Sequence, residues 1–217
     1  MKDDTGEPFL TPELLLHGYS IGIFPMAERR NDPEVFWVDP KRRGIIPMDG
    51  LHLSRSLKRR MRKPDVSVTL NRAFDTVLDA CGDRDETWIN DELAELYREL
   101  HRLGRAHSLE VWYGDRLAGG VYGVSIASAF FGESMFSNAR DGSKIALACL
   151  LPHLRACGFR LFDTQFITPH LASLGGIEIT RQVYHQKLEE ALRHPARIDA
   201  VPLKQPQDVI QPITQMS

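Results

Sequence analysis

Between residues 66 and 193 the hydrophobic period switches repeatedly between strand-like and helix-like spacing, and that alternation constrains the fold more than any single motif. Val66 to Leu70 reads as a strand. Asn71 is placed to cap a helix with Phe74, Val77, Leu78 and Cys81 on one face, and a second helix carries Leu93, Leu96, Tyr97 and Leu100 before Gly104. Ser108 to Trp112, Leu117 to Ser125 and Ala127 to Phe131 read as strands, the first two joined by a turn at Gly114-Asp115. Ser143 is placed to cap a helix of about four turns that ends at Gly158. A strand from Phe159 to Phe166, a helical turn from His170 to Leu174 and a helix from Arg181 to Leu192 close the region.

The order helix, helix, antiparallel strands, helix, strand, helix predicts an α/β (α+β) layout with a mixed sheet, and fits the acyltransferase architecture called GNAT-like. Residues 1–65 read as a smaller N-terminal lobe. In it Thr11-Pro12-Glu13 starts a short helix that stops at Gly18, residues 28–50 are rich in Pro, Gly and charge, and Ser54 caps a helix to about Arg62. Residues 66–193 form the GNAT-like domain. Residues 194–217, with Pro195, Pro202, Pro206 and Pro212, read as an extended tail that adds little to the core.

With 217 residues, 42% of them hydrophobic and 26% charged, the chain has enough apolar material for one domain and a small lobe. The opening Met1-Lys2-Asp3-Asp4 has no apolar stretch behind it, and the apolar run Ile145 to Leu151 is too short to span a bilayer. Cys81, Cys149 and Cys157 are odd in number and form no CxxC pair, so they read as reduced thiols without zinc or disulfide. A cytoplasmic protein with no metal, no cofactor and no membrane partner is the expectation.

Net charge is -2, yet from Lys41 to Lys63 nine cations stand against one acid, Asp49. Arg55, Lys58, Arg59 and Arg62 fall at helical spacing and make a positive stripe, which suits either a solvated face or a run of nucleic-acid phosphates. In Phe159 to Gln165, strand alternation puts Asp163 and Gln165 on one side and Phe162 and Thr164 on the other. Polar groups at the end of such a strand either cap a loop or serve a site. Glu133 stands at the end of an apolar strand between large hydrophobes, as a structural ion pair or a functional carboxylate. Phe130, Met135 and Phe136 suit the core or an apolar pocket. Asp141-Gly142-Ser143-Lys144 is either a plain helix cap or an anion-attracting end. The histidines His107, His153, His170 and His185 are scattered and form no triad or metal set.

Taken together, the segments resemble the leucyl/phenylalanyl-tRNA–protein transferases of bacteria. The resemblance is carried by Gly18-Tyr19-Ser20-Ile21-Gly22-Ile23-Phe24-Pro25, Leu51-His52-Leu53-Ser54-Arg55-Ser56, Glu86-Thr87-Trp88-Ile89 and His107-Ser108-Leu109-Glu110-Val111-Trp112. More specific are Gly119-Gly120-Val121-Tyr122-Gly123-Val124, Phe131-Gly132-Glu133-Ser134-Met135-Phe136-Ser137, and Asp163-Thr164-Gln165 followed by His170-Leu171-Ala172-Ser173-Leu174-Gly175. These run in order from about Pro12 to Leu188.

The resemblance implies transfer of Leu or Phe, less well Met, from aminoacyl-tRNA to the α-amino group of proteins beginning with Arg or Lys, marking them for N-degron degradation. It implies Asp163 and Gln165 as the reaction-centre pair, with Asp163 attracting and helping to deprotonate the incoming α-ammonium through or beside Gln165, and Glu133 orienting the network or holding the acceptor. Trp37, Trp88, Phe130 and Met135 would form the aminoacyl side-chain pocket, and Arg55, Lys58, Arg59, Arg62 and Lys144 would hold tRNA phosphates. Partners would be aminoacyl-tRNA and protein substrates, and not DNA.

The chain departs from the family pattern in places. It nearly lacks a segment that many members carry before Gly18, and it has Phe36-Trp37 where two tryptophans are common. Asn138 and Thr164 stand where arginine and cysteine are frequent. Two other readings stay open at this point. One is an acyl-CoA-dependent N-acetyltransferase, although Asn138 to Lys144 lacks the Arg/Gln-x-x-Gly-x-Gly/Ala loop; the other is a non-catalytic tRNA-binding protein, which leaves Asp163 and Gln165 without a role.

Overall fold

The structure, a computed structural model, describes residues 10–27, 35–83 and 89–211. Its large sheet holds the five strands the alternation predicts and two that it does not, one from the N-terminal part and one after residue 176. β4 (Val66–Leu70), β5 (Ala106–Tyr113), β6 (Arg116–Ile126) and β7 (Ala129–Ser137) pair antiparallel in sequence order. Helix α5 (Gly142–Ala156) then carries the chain across so that β8 (Leu161–Gln165) lies parallel to β7, as a parallel pair requires. β3 (Arg42–Ile45) inserts antiparallel between β8 and β9 (Ile177–Thr180), completing the order β4-β5-β6-β7-β8-β3-β9. A separate ribbon pairs β1 (Phe24–Ala27) with β2 (Val35–Val38).

The sheet is covered on both faces, each with its own apolar cluster. One face carries α1 (Pro12–Ser20), α3 (Phe74–Gly82), α4 (Asp91–Arg102) and α7 (Arg181–Leu192), packed through Tyr19, Val77, Leu93, Tyr97, Phe131 and Leu188. The other carries α2 (Arg55–Met61), α5, α6 (Pro169–Ser173) and α8 (Pro206–Val209), packed through Leu57, Met61, Phe130, Leu147, Phe162 and Leu171.

Several local expectations are corrected by tertiary structure. The Thr11 and Ser54 caps form, each side chain accepting a helix N–H at 3.2 Å. α1 does not stop at Gly18 but runs to Ser20; Gly18 is needed because a Cβ there would stand 2.2 Å from the Trp37 ring. Asn71 does not cap α3. It takes φ 58° and accepts the Ser108 N–H, while the buried Glu110 carboxylate reaches across from β5 to accept the Ala73 N–H. Ser143 lies inside α5, whose N-cap is the left-handed Asp141, and the Ser143 N–H donates to Ser137 Oγ.

The expected division at residue 65 is also not where the sheet divides. β3 is a strand of the large sheet, and Leu57 and Met61 of α2 are buried in its core. Nor does the chain after 194 leave the core alone. α5 is buried nearly all round its circumference, so its outer side needs cover. Ile198 and Pro206 supply buried contacts there, and the Ile198 carbonyl pairs with His153 Nε2 at 2.7 Å.

Candidate active site

The site forms where the parallel strands β7 and β8 end, and three backbone irregularities make it. Between Gly132 and Ser134, β7 bulges against Tyr122 and Gly123, so Glu133 has no ladder partner. β8 breaks at its last residue, Gln165, which takes φ 61°. A left-handed non-glycine residue costs roughly 1–2 kcal/mol and persists only where its surroundings hold it. β3 shifts register between Gly44 and Ile45, opposite Gln165 and Asp163.

Asp163 is the anchor of that geometry. It is fully buried, and four donors converge on it. Arg43 Nε donates to Oδ1 at 2.9 Å and Nη2 to Oδ2 at 2.6 Å. The Tyr184 hydroxyl donates to Oδ2 at 2.8 Å, and the Gln165 N–H to Oδ1 at 2.8 Å. Arg43 is itself buried between the Phe24 and Tyr184 rings, 4.4 Å from each centroid, and its Nη1 donates to the Gly22 carbonyl. Burial works against the Arg43 charge, yet the Asp163 carboxylate more than offsets it and the guanidinium pKa is raised.

The Gln165 side chain leaves this anchor and reaches Glu133. Its Nε2 donates to Glu133 Oε1 at 3.0 Å, Tyr97 donates its hydroxyl to Glu133 Oε2 at 3.0 Å, and the Tyr19 and Tyr97 hydroxyls are 2.8 Å apart. Both tyrosine hydroxyls thus serve the same end of Glu133, and each also hydrogen-bonds the other. With Nε2 pinned on Glu133, the Gln165 amide has a fixed orientation, and its Oε1 accepts no hydrogen bond from the described residues. Burial pushes the Glu133 carboxyl up to about 7, against the hydrogen bonds from its neighbours.

That shift has a sign that can be checked. Between pH 4.5 and 7 the folded protein holds a proton on Glu133 that the unfolded chain has released. The contribution of this group to stability is therefore full below the lower value and lost as pH rises through the upper one, a difference of about 3 kcal/mol. The difference in unfolding free energy between wild type and Glu133→Gln is expected to change by that amount across this interval. A pH-independent difference in urea unfolding would refute it.

The expected site residues are thus partly assembled. Asp163, Gln165 and Glu133 form one hydrogen-bonded unit with Arg43, Tyr184, Tyr97 and Tyr19. Of the three expected pocket residues that the structure describes, two share one face of the sheet and the third packs on the other. Phe130 faces the α5 side of the sheet, fully buried and stacked 5.5 Å from Phe162, and Met135 packs on that side too. Trp37 packs on the opposite side, against Gly18, and Trp88 lies outside the described residues. Arg55, Lys58, Arg59 and Arg62 do make an exposed row on α2, while Lys144 stands at the start of α5 in a cleft of ≈ 670 Å³ with Arg140 and His170. Among the described residues no cluster of His, Cys, Asp or Glu is arranged to hold a metal, and no helix is long and apolar enough to cross a membrane.

Arg43 and the tyrosines were not singled out from the sequence. Tyr97 carried a signal, because a tyrosine on an otherwise apolar helix face must bring its hydroxyl to a partner.

Comparison with known proteins identifies the family of the chain. A family model described as leucyl/phenylalanyl-tRNA protein transferase matches residues 45–189, and one described as the N-terminal domain of that family matches residues 10–41. The two matches meet near the start of β3, not at residue 65. A protein of Ruegeria pomeroyi named leucyl/phenylalanyl-tRNA–protein transferase is 62% identical over 208 residues, which cover 96% of this chain and 99% of that protein. A protein of the same name from Cereibacter sphaeroides is 64% identical over 185 residues, 85% of this chain and 86% of its own. Another from Dinoroseobacter shibae is 55% identical over 196 residues, 90% and 88% of the two chains.

Proposed function

The chain belongs to the leucyl/phenylalanyl-tRNA–protein transferase family, and from that membership we propose that it transfers leucine or phenylalanine, less well methionine, from charged tRNA to the N-terminal α-amino group of cytoplasmic proteins that begin with Arg or Lys. The product is a protein marked for N-degron degradation. The observation that best supports this chemistry is the oriented Gln165 amide, held between the Asp163–Arg43 anchor and the Glu133–Tyr97–Tyr19 chain.

The reaction joins an amine to an ester. The amine nitrogen attacks the ester carbonyl, a C–N bond forms, the bond to the tRNA ribose oxygen breaks, and the amine proton ends on that oxygen. An aminoacyl ester is already reactive, so placing the amine in line supplies much of the rate. Gln165 Oε1 is the acceptor that receives an amine N–H and aims the nitrogen lone pair. Glu133 keeps the amide from turning round. Asp163 has its lone pairs occupied by Arg43, Tyr184 and the Gln165 backbone. We therefore assign it a positioning role, in place of the proton acceptor that the sequence suggested. The α2 row Arg55, Lys58, Arg59 and Arg62, with Lys144, holds tRNA by phosphate contacts that fix register without reading bases.

The deciding experiment is transfer of labelled phenylalanine from Phe-tRNA to a short peptide beginning with Arg, beside a twin beginning with Asp. Label on the Arg peptide alone is the expected result. Binding of tRNA with no label on either peptide would leave a tRNA-binding protein, and acetylation of the peptide from acetyl-CoA would support the acetyltransferase reading.

A further inference from the structure

We propose that Tyr19 and Tyr97 are positioning residues of the transfer reaction: their hydroxyls turn to receive a proton on Glu133, so that Glu133 Oε1 accepts from Gln165 Nε2 whether the carboxyl is charged or neutral. This rests on the reading above that Gln165 Oε1 receives the incoming amine.

The two oxygens of Glu133 meet different chemistry. Oε1 faces Gln165 Nε2 at 3.0 Å, an amide nitrogen that donates and does not accept. A proton on Oε1 would set donor against donor. The amide would then be satisfied only by turning round, which presents Nε2 to the incoming amine and removes its acceptor. Oε2 faces phenolic hydroxyls, which rotate freely between giving and receiving a hydrogen bond.

The Oε2 end has a place for one more proton. Glu133 and the two hydroxyls make a triangle of contacts: 3.0 Å from Oε2 to Tyr97, 2.8 Å between the tyrosines, and a hydrogen bond from Tyr19 back to Glu133. With Glu133 charged, the triangle has two protons for three contacts. With Glu133 neutral it has one for each contact: Oε2 donates to Tyr97, Tyr97 to Tyr19, and Tyr19 to Glu133. The added proton therefore belongs on Oε2, and the Gln165 amide keeps its orientation. The phenols keep their own protons, because burial and the Glu133 charge hold both well above the usual tyrosine pKa.

The other ionisable groups around Glu133 are committed elsewhere. Asp163 and Arg43 hold each other, and Tyr184 donates to Asp163. Tyr122 meets Tyr97 ring edge to ring face, 5.3 Å between centroids. Both protonation states matter near neutral pH, since burial, with a smaller push from the Asp163 charge, brings the Glu133 carboxyl up to about 7.

The test is the pH dependence of transfer by Tyr97→Phe, taken as a ratio to wild type on the same Arg peptide so that titration of the peptide amine cancels. The ratio of kcat values is expected to fall about fivefold or more from about pH 8.5 to about pH 5.5, as Glu133 gains a proton it can no longer place. In a Glu133→Gln background, where residue 133 does not titrate, adding Tyr97→Phe should cost the same factor at both ends of the range. Tyr19→Phe opens the triangle at its other corner and carries the same comparison should Tyr97→Phe not fold. Exchange of the Gln165 side-chain N–H held by Glu133, measured by NMR, should stay slow throughout in wild type and become fast at the acid end in Tyr97→Phe. A pH-independent activity ratio, or slow exchange at the acid end in the variant, would overturn the proposal while the transfer reaction stands. If wild type transfers nothing, the functional reading falls, and the exchange measurement still decides whether the tyrosines hold Gln165.

Discussion

Arg43→Met is expected to lose about 3–5 kcal/mol of stability in urea unfolding, among the largest losses available to a single substitution in this chain. The argument is one of desolvation. Asp163 is fully buried, and removing the guanidinium leaves its carboxylate facing Tyr184 and one backbone N–H with no charge opposite. The Gly22 carbonyl loses its donor as well, and the Phe24 and Tyr184 rings lose the cation between them. Lysine is no substitute, since one ammonium does not serve Asp163, Gly22 and Tyr184 from a planar fork. The double variant Arg43→Met with Asp163→Asn should recover part of the loss, because a buried pair removed together leaves no orphan charge. Additive losses in that cycle would sink the account.

Arg43 also shows where sequence reading runs out. In the chain it is one of nine cations between Lys41 and Lys63, and nothing local separates it from its exposed neighbour Arg42, whereas its partner lies 120 positions away. The same limit explains Glu110, which caps α3 from another strand and displaces the nearby Asn71. Other features were legible. Strand spacing put Asp163 and Gln165 together, and helical spacing put the α2 cations on one surface. Alternation carried along β7 also separates Phe130 from Glu133, so that pocket residue was excludable. Met135 was not, because the bulge at Glu133 reverses the parity of the strand beyond it. The expected idle tail is wrong for the same reason that α5 is apolar all round: its outer side needs cover, which residues 198–210 provide. The left-handed turn at Gln165 had no local signal at all. It is imposed by the Asp163 carboxylate that takes its N–H, so the strain and the ion pair are parts of one device.

Gln165→Ala is therefore expected to lower kcat/KM for transfer about 10²-fold or more, the loss typical when one oriented hydrogen-bonding group is removed from a reacting centre. Proximity of amine and ester survives, so a residual rate remains. The loss should fall on kcat, with KM for the Arg peptide nearly kept. Stability should fall by about 1–3 kcal/mol, because the buried Glu133 Oε1 loses its donor, while alanine adds no further loss by bearing the same left-handed strain as glutamine at φ 61°. Glu133→Gln should be milder, since its carbonyl still accepts from Gln165 Nε2, and Glu133→Ala should fall between the two. This ranking distinguishes positioning from proton transfer by a carboxylate. Were Glu133 or Asp163 the base itself, Glu133→Gln or Asp163→Asn would exceed Gln165→Ala. A Gln165→Ala enzyme within twofold of wild type would place the amine acceptor elsewhere and end this mechanism.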